Sequence, residues 1–413
     1  MPSSFHPPSS SSPASSVQLL RAAPALRLAH LGVLTALLAG AGVHSGAWAQ
    51  AAEATDPIQT EVVARDLAQP WAVAFIEDGR FLVTERGGQL RVIEADGRAG
   101  EPVQGVPPVV VGGQGGLLDV ITDSDYARNR TIYFCYSEPG QADGVRNVNS
   151  TALASARLSA DRRQLEQVKV LFSQQPKVAS QMHYGCRVVE TRDGKLMLAV
   201  GERSSQAQQA QNLQSHLGKV LRIDKDGGVP ADNPFVSRSD AKPEIWSYGH
   251  RNPQGAALAP DGTYWMTEHG PRGGDEINIP RAGRNYGWPL VSFGRNYSGT
   301  AVGKGESEGP GLAQPLLHWT PSIAPSGTAF VTSDRYGPGW QGNLLVGSLK
   351  FDYLERLQVQ GTGDQATIGR RSKLLADLGA RIRDVRQAPD GWIYVLTDGS
   401  GAQLLRLKPA STP

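Results

Sequence analysis

Only two of the 413 residues are cysteine, Cys135 and Cys186, and no C-x-x-C-H segment occurs. A disulfide-dense scaffold and a covalently attached c-type haem are thereby excluded. Sustained runs of Ala, Leu, Glu and Lys are few, which argues against a helical class. Charge of either sign is scarcely in excess. The 41 Lys and Arg against 39 Asp and Glu leave a net +2, and no basic run exceeds two or three residues. A phosphate backbone is therefore not a partner that this composition supports. Turn-forming residues, in contrast, are abundant. The 48 glycines and 28 prolines, set among many short apolar runs, point to an all-β sandwich, barrel or propeller.

The small positive excess sits at the N-terminus. Residues 1–49 contain Arg21 and Arg27 and no acid, so the remainder carries a net charge of about 0. After a Ser/Pro-rich start, an apolar stretch from Leu28 to Val43 precedes Ala47-Trp48-Ala49, an A-x-A cleavage pattern. We expect residues 1–49 to be a secretory signal and residues 50–413 one β-propeller catalytic domain, with its core at about 56–408, in a periplasmic or secreted protein. The apolar stretch is short for a membrane span, and no stable span is expected. An oxidising compartment invites a disulfide between the two cysteines. Each also lies in an apolar strand-like run (TIYFCYSE and HYGCRVVE), where two separately buried thiols fit equally well.

A repeated unit emerges from the turns. Glu77-Asp78-Gly79, Arg192-Asp193-Gly194, Pro260-Asp261-Gly262 and Pro389-Asp390-Gly391 each stand between two short apolar strands. Asp-Gly suits hairpin turns that need positive φ. Asn343 to Val359 reads as a further hairpin. Division of the mature chain into four-stranded blades of about 60 residues gives six, so the predicted fold is a six-bladed β-propeller with antiparallel blades. The long loops Gly201–Leu217 and Asn285–Pro315 are expected on one face, where propellers carry function.

Several segments are too polar to be structural strands. Gln114 lies between paired glycines in GGQGGLLD, where the backbone can approach a ligand closely. His183, in QMHYGCR, is followed by Ala199-Val200-Gly201-Glu202, whose carboxylate ends the next strand. A hairpin puts the two at one rim, and a carboxylate beside an imidazole fixes its tautomer and raises its basicity, as a general base requires. Then come YGHRNPQ from Tyr248, TEHGPRGGDEIN from Thr267 and NYGWP from Asn285.

These three blocks resemble the signature of the soluble quinoprotein glucose and aldose sugar dehydrogenases. The downstream PSIAP (from Pro321), GSLK (from Gly347) and RIRD (from Arg381) agree in type and order. The resemblance covers nearly the whole mature chain. It implies pyrroloquinoline quinone (PQQ), a tricarboxylate ortho-quinone, bound by Arg251, Lys350, Arg381 and Arg383, with Gln114, Asn252 and Ser322 as polar contacts. Cationic forks suit carboxylates, and a lysine near the quinone can stabilise negative charge developing during reduction. It also implies Ca²⁺ on the carbonyls of Gly270 and Pro271, with Glu276 and Tyr286 matching a second calcium site. That second site lacks the family's further acidic ligands, since FGRNYSG follows Phe293 with no acid before Glu306. His183 matches the catalytic base, Glu202 its orienting carboxylate, and Arg251 belongs to the catalytic group. The implied reaction takes the anomeric proton while hydride moves from C1 to the quinone, so an aldose becomes its lactone. Without a haem motif, electrons leave to a separate acceptor. A monomer or homodimer is expected.

Two departures concern the sugar. Met182 stands where glucose-oxidising members have an acid, and Thr320 stands at the aromatic platform, with Trp319 displaced by one. Both favour broad aldose specificity. The alternatives are a calcium-dependent lactonase-type propeller hydrolase and a non-catalytic carbohydrate-binding propeller. The cationic pocket residues suit an anionic cofactor better than a bare metal.

Overall fold

The computed structural model describes residues 58–141 and 143–410. The expected secretory signal lies outside them. Strand β1 (Ile58–Ala68) comes first, and six four-stranded antiparallel sheets follow around a central axis. Blade 1 holds β2 (Pro70–Phe75), β3 (Phe81–Glu85), β4 (Gln89–Ile93) and β5 (Ala99–Pro102). Blade 2 holds β6 (Leu117–Thr122), β7 (Thr131–Pro139), β8 (Asn149–Leu158) and β9 (Leu165–Ser173). Blade 3 holds β10 (Gly185–Glu190), β11 (Lys195–Val200), β12 (Lys219–Asp224) and β13 (Ile245–Tyr248). Blade 4 holds β14 (Pro253–Leu258), β15 (Tyr264–Glu268), β16 (Asp275–Asn278) and β17 (Leu317–Trp319). Blade 5 holds β18 (Pro325–Phe330), β19 (Leu344–Ser348), β20 (Leu354–Gln360) and β21 (Thr367–Leu374). Blade 6 holds β22 (Ile382–Gln387), β23 (Ile393–Thr397) and β24 (Ser400–Pro409), and β1 completes it by pairing with β24. The first-described strand thus closes the ring on the last, which leaves no open edge between blades 6 and 1.

Each predicted Asp-Gly turn joins the innermost strand of a blade to its second strand: β2–β3, β10–β11, β14–β15 and β22–β23. The turns need left-handed backbone, which Gly79, Gly194, Gly262 and Gly391 adopt (φ between 71° and 89°). Blades 2 and 5 break the sequence rhythm because a short helix (Tyr126–Asn129) and a longer loop replace that turn.

The innermost strands β2, β6, β10, β14, β18 and β22 pack against one another around the axis. Val, Leu, Ile and Ala fill the spaces between blades. At the centre lies a feature that apolar patterning does not announce. Arg187 Nη1 is 3.2 Å from Asp119 and 2.9 Å from Asp384, while Arg386 contacts both aspartates. Arg187 also stacks on Trp71 and donates to the Gln254 carbonyl. Buried charges of both signs thus pair across blades 2, 3 and 6, with Trp71 of blade 1 and Gln254 of blade 4 packed against Arg187, and hydrogen bonds offset their desolvation.

Cys135 in β7 and Cys186 in β10 are joined as a disulfide, which settles the open alternative. The cross-link spans blades 2 and 3 and closes a loop with a sequence separation of 51. Loop-closure entropy puts its contribution at about 4 kcal/mol. Cys135→Ser/Cys186→Ser is expected to lower stability by about that amount in non-reducing urea titrations, with far-UV circular dichroism unchanged.

Candidate active site

Innermost strands begin, and second strands end, at the same face of a propeller. Gln114 precedes β6, His183 precedes β10, Arg251 and Asn252 precede β14, Ser322 precedes β18, Arg381 precedes β22, and Arg383 is the second residue of β22. Glu202 follows β11, Gly270 and Pro271 follow β15, and Lys350 follows β19. The chain order scatters these residues; the topology gathers them on one rim. The Gly201–Leu217 loop joins β11 to β12 on this face. The Asn285–Pro315 excursion leaves β16 and reaches the same face, bridging Asn285 to Tyr248 and Arg295 to Arg272.

His183 and Glu202 meet as predicted. Nδ1 lies 2.9 Å from Oε2 of Glu202, and both residues are buried. The same Oε2 accepts the Ser204 amide N–H. A carboxylate oxygen only accepts, so Nδ1 carries the ring proton and Nε2 carries the lone pair. The His183 backbone is left-handed (φ 49°), and its N–H donates to Gln114 Oε1 at 2.8 Å. Because an N–H can only donate, the Gln114 oxygen is committed there. Its amide NH₂ remains the donor for the site.

A cavity of about 190 Å³ lies beside this pair, lined by Trp71, Arg86, Gln114, His269, Arg381 and Arg383, with Gly185 and Gln254 at its wall. Arg383 Nε is 3.0 Å and Arg381 Nη1 3.3 Å from Asp398, so the two arginines converge on one carboxylate. Burial pulls the Arg383 guanidinium below the usual arginine range, with Arg187 and Arg381 acting in the same direction. Three arginines and no carboxylate among the lining residues give the cavity a cationic wall, with Asp398 behind Arg381 and Arg383.

A second, smaller cavity of about 20 Å³ is lined by Arg251, Glu268, His269, Gly270, Glu276, Tyr286 and Trp288. Arg251 Nη1 donates to the carbonyls of His269 (3.1 Å) and Gly270 (2.7 Å), and its Nε has no partner. A Cβ on Gly270 would meet the Gly274 and Gly273 carbonyls at 2.2 and 2.4 Å, so only glycine permits this tight turn. Burial and the Glu268 and Asp275 carboxylates push Glu276 up to about 8. Asn278 donates to both Glu268 and Glu276, and its own oxygen is unsatisfied. Glu268 and Glu276 pair across β15 and β16, with Glu268 bonded by His250 Nδ1 and the Arg251 N–H, and these carboxylates with the nearby Gly270 carbonyl are oxygen donors of the kind a hard cation takes. Among the described residues no group of three or more acidic, His or Cys side chains has metal-binding geometry, so any such site leans on carbonyl oxygens.

Other predicted residues serve differently. Asn252 is buried, and its Oδ1 accepts from the Gly185 N–H and Gln254 Nε2. Ser322 Oγ donates to Asp275 Oδ2 at 2.6 Å, an oxygen that also accepts the Ile323 and Ala324 amides. Lys350 is exposed, its ammonium over the Phe351 ring at 5.0 Å, while its neighbour Leu349 lines the larger cavity. The Tyr286 hydroxyl donates to the Ile279 carbonyl. Trp319 points into the core and donates to Glu355, leaving Thr320 and Met182 at the surface.

His269 was missed by the sequence reading. It lines both cavities, its Nε2 donates to the Pro325 carbonyl at 2.8 Å, and burial with help from Arg251 and His183 lowers it to about 4. Its signal was its place in TEHG, directly before the Gly270 turn.

The family model described as Glucose / Sorbosone dehydrogenase matches residues 67–406. The chain belongs to this family. It is 45% identical over 355 residues to aldose sugar dehydrogenase YliI of Escherichia coli (strain K12), across 85% of this chain and 93% of that protein. It is 29% identical to quinoprotein glucose dehydrogenase B of Acinetobacter calcoaceticus, across 83% and 85%. Among solved structures, the apo form of the soluble E. coli aldose sugar dehydrogenase aligns with TM-score 0.80 and 43% identity, over 86% of this chain and 100% of that one. The PQQ-bound aldose sugar dehydrogenase from Streptomyces coelicolor aligns with TM-score 0.68 and 26% identity, over 86% and 98%. Within this glucose/sorbosone dehydrogenase family, the His183–Glu202 pair is the arrangement to test first. Glu202→Gln keeps an acceptor for Nδ1 but removes the charge that stabilises a protonated ring. It is expected to lower kcat by about 10²-fold, the lower end of a positioned base's contribution, with PQQ affinity unchanged in dye-linked assays.

Proposed function

We propose that this chain is a periplasmic, PQQ-dependent dehydrogenase that oxidises the anomeric carbon of aldose sugars to lactones, with His183 as general base. The observation that carries the reading is the His183–Glu202 hydrogen bond beside a cavity walled by Arg86, Arg381 and Arg383. The names of the E. coli and S. coelicolor relatives support it. PQQ, when bound, supplies the two-electron hydride acceptor.

The chain's own residues do the rest. His183 Nε2 takes the proton of the anomeric hydroxyl, and Glu202 stabilises the imidazolium that results. Gln114 fixes the base through its backbone N–H and offers its NH₂ to the cavity. Arg383 and Arg381 hold carboxylates, while Arg251 braces the Gly270 turn whose carbonyls, with that of Pro271, would hold calcium. Calcium there would act as a Lewis acid. Exposed Met182 and Thr320 leave the sugar side without an acid or an aromatic platform, which suits several aldoses. The electrons pass to a separate acceptor.

The test mixes purified protein with PQQ and Ca²⁺ and follows absorbance and dye reduction with a panel of aldoses. Bleaching of the quinone band on adding sugar, with lactone as product, is expected. No spectral change with any aldose would sink the reading, and lactone hydrolysis without PQQ would replace it with the hydrolase. Stripping divalent cations with a chelator is expected to weaken PQQ binding by about tenfold, a typical coupling between neighbouring ligands, and Ca²⁺ should restore it better than Mg²⁺.

A further inference from the structure

Residue 203 directly follows the carboxylate that orients the base, and its side chain runs back to the segment that carries the base. Arg203 is fully buried, and among the described residues its side chain donates to carbonyl and amide oxygens and to no carboxylate. Its Nε donates to the Met182 carbonyl (3.0 Å). Its Nη2 donates to the Ser180 carbonyl and to Asn149 Oδ1 (2.6 Å), and its Nη1 to the Asn149 carbonyl (3.2 Å). The guanidinium lies 3.8 Å from the Tyr184 ring centroid, and the Tyr184 hydroxyl bonds the same Ser180 carbonyl and Asn149 amide. The backbone joins in: the Arg203 N–H donates to the His183 carbonyl, and Ser180 Oγ donates to the Arg203 carbonyl.

One residue thus grips the chain at Ser180, Met182 and His183 while covalently attached to Glu202. The need for a grip is visible locally. His183, Arg203 and Ser204 all hold left-handed backbone, with φ of 49°, 68° and 65°, which side chains bearing a Cβ rarely adopt. An unpaired cation in the interior is costly, and an apolar residue would fill the space at less cost if packing were all that mattered. Only a planar fork satisfies so many carbonyl groups in one plane.

We propose that Arg203 is the positioning residue of the catalytic pair: its guanidinium clamps the Ser180–His183 backbone so that the imidazole meets Glu202 and presents Nε2 to the substrate. It lines neither cavity and touches no reacting atom. The proposal rests on the reading of His183 as the base.

The test uses the full mature protein as wild type, Arg203→Ala and Arg203→Lys. In the apo proteins, amide hydrogen exchange is read at residues 180–184 and in the β10–β12 core. In the PQQ- and Ca²⁺-loaded proteins, kcat and KM for one aldose and the PQQ dissociation constant are measured, with and without non-denaturing guanidinium chloride. Arg203→Ala is expected to exchange faster at 180–184 only and to lose about 10²-fold in kcat, the scale of a small misplacement of a catalytic group. KM and PQQ affinity should hold, free guanidinium should restore part of kcat, and Arg203→Lys should fall between. Unchanged exchange at 180–184 overturns the clamp. So does a loss of kcat that tracks lost PQQ affinity and is not rescued by guanidinium. If Arg203→Ala does not fold, Arg203→Lys decides by the same criteria. Faster exchange together with a wild type that oxidises no aldose would keep the clamp and discard the function.

Discussion

His183→Ala is expected to lose about 10²- to 10⁴-fold in kcat while its PQQ affinity stays at the wild-type value. Glu202, 2.9 Å from Nδ1 of His183, holds the ring proton on that nitrogen and leaves Nε2 as the acceptor. Loss of the imidazole removes the proposed proton acceptor, while the arginines that line the cavity stay in place. The position is left-handed, so a companion His183→Asn guards against misfolding, because asparagine tolerates that backbone better than most residues. Both variants should bind PQQ, show the bound-quinone absorbance and fail to bleach it with sugar in stopped-flow mixing. A variant that bleaches at the wild-type rate would remove His183 from the mechanism. One that loses PQQ binding instead would make it a cofactor residue.

The architecture was legible because propeller blades repeat a local signal. Four of six blades announce their first hairpin with Asp-Gly, and those turns all fall on the face away from the site, where a left-handed glycine closes each one. The two silent blades replaced the turn with a short helix or a longer loop, so the spacing looked irregular while the architecture was not. The His183–Glu202 pairing was legible for the same reason: hairpin geometry alone returns the end of β11 to the start of β10.

What the sequence withheld are interactions between distant segments that carry no pattern. Arg187 and Arg386 sit in strands that read as ordinary, yet they meet Asp119 and Asp384 from other blades at the axis. Ser322 matched a polar contact, but its hydroxyl turns to Asp275, a carboxylate that gathers three donors from one loop. Arg203 sits beside Glu202 in a segment rich in Ser and Gln and reads as a solvated loop residue; its burial depends on Asn149 and Ser180, far away in sequence. Hydrophobic periodicity finds surfaces, not the partners of a polar group.

Arg383→Ala is the companion test on the cofactor side. The guanidinium is buried, its side chain 8% exposed, and it shares Asp398 with Arg381, whose side chain is 52% exposed. Removal of the buried member deletes a charge-assisted hydrogen bond worth about 1.5–3 kcal/mol to a bound carboxylate. It also leaves Asp398, 13% exposed, poorly compensated and close to an anionic ligand. Since each 1.4 kcal/mol is tenfold, the two effects together should weaken PQQ binding by about 10²-fold or more. Arg381→Ala should cost less, and its effect should shrink with added salt because its charge is exposed and screened. The double variant Arg383→Ala/Asp398→Asn is expected to recover part of the loss by removing the repelling carboxylate, which isolates the electrostatic component. Equilibrium titration with PQQ at low and high ionic strength reads all of these. Wild-type affinity in Arg383→Ala, with the loss confined to Arg381→Ala, would move the carboxylate contact from the cavity wall to its rim.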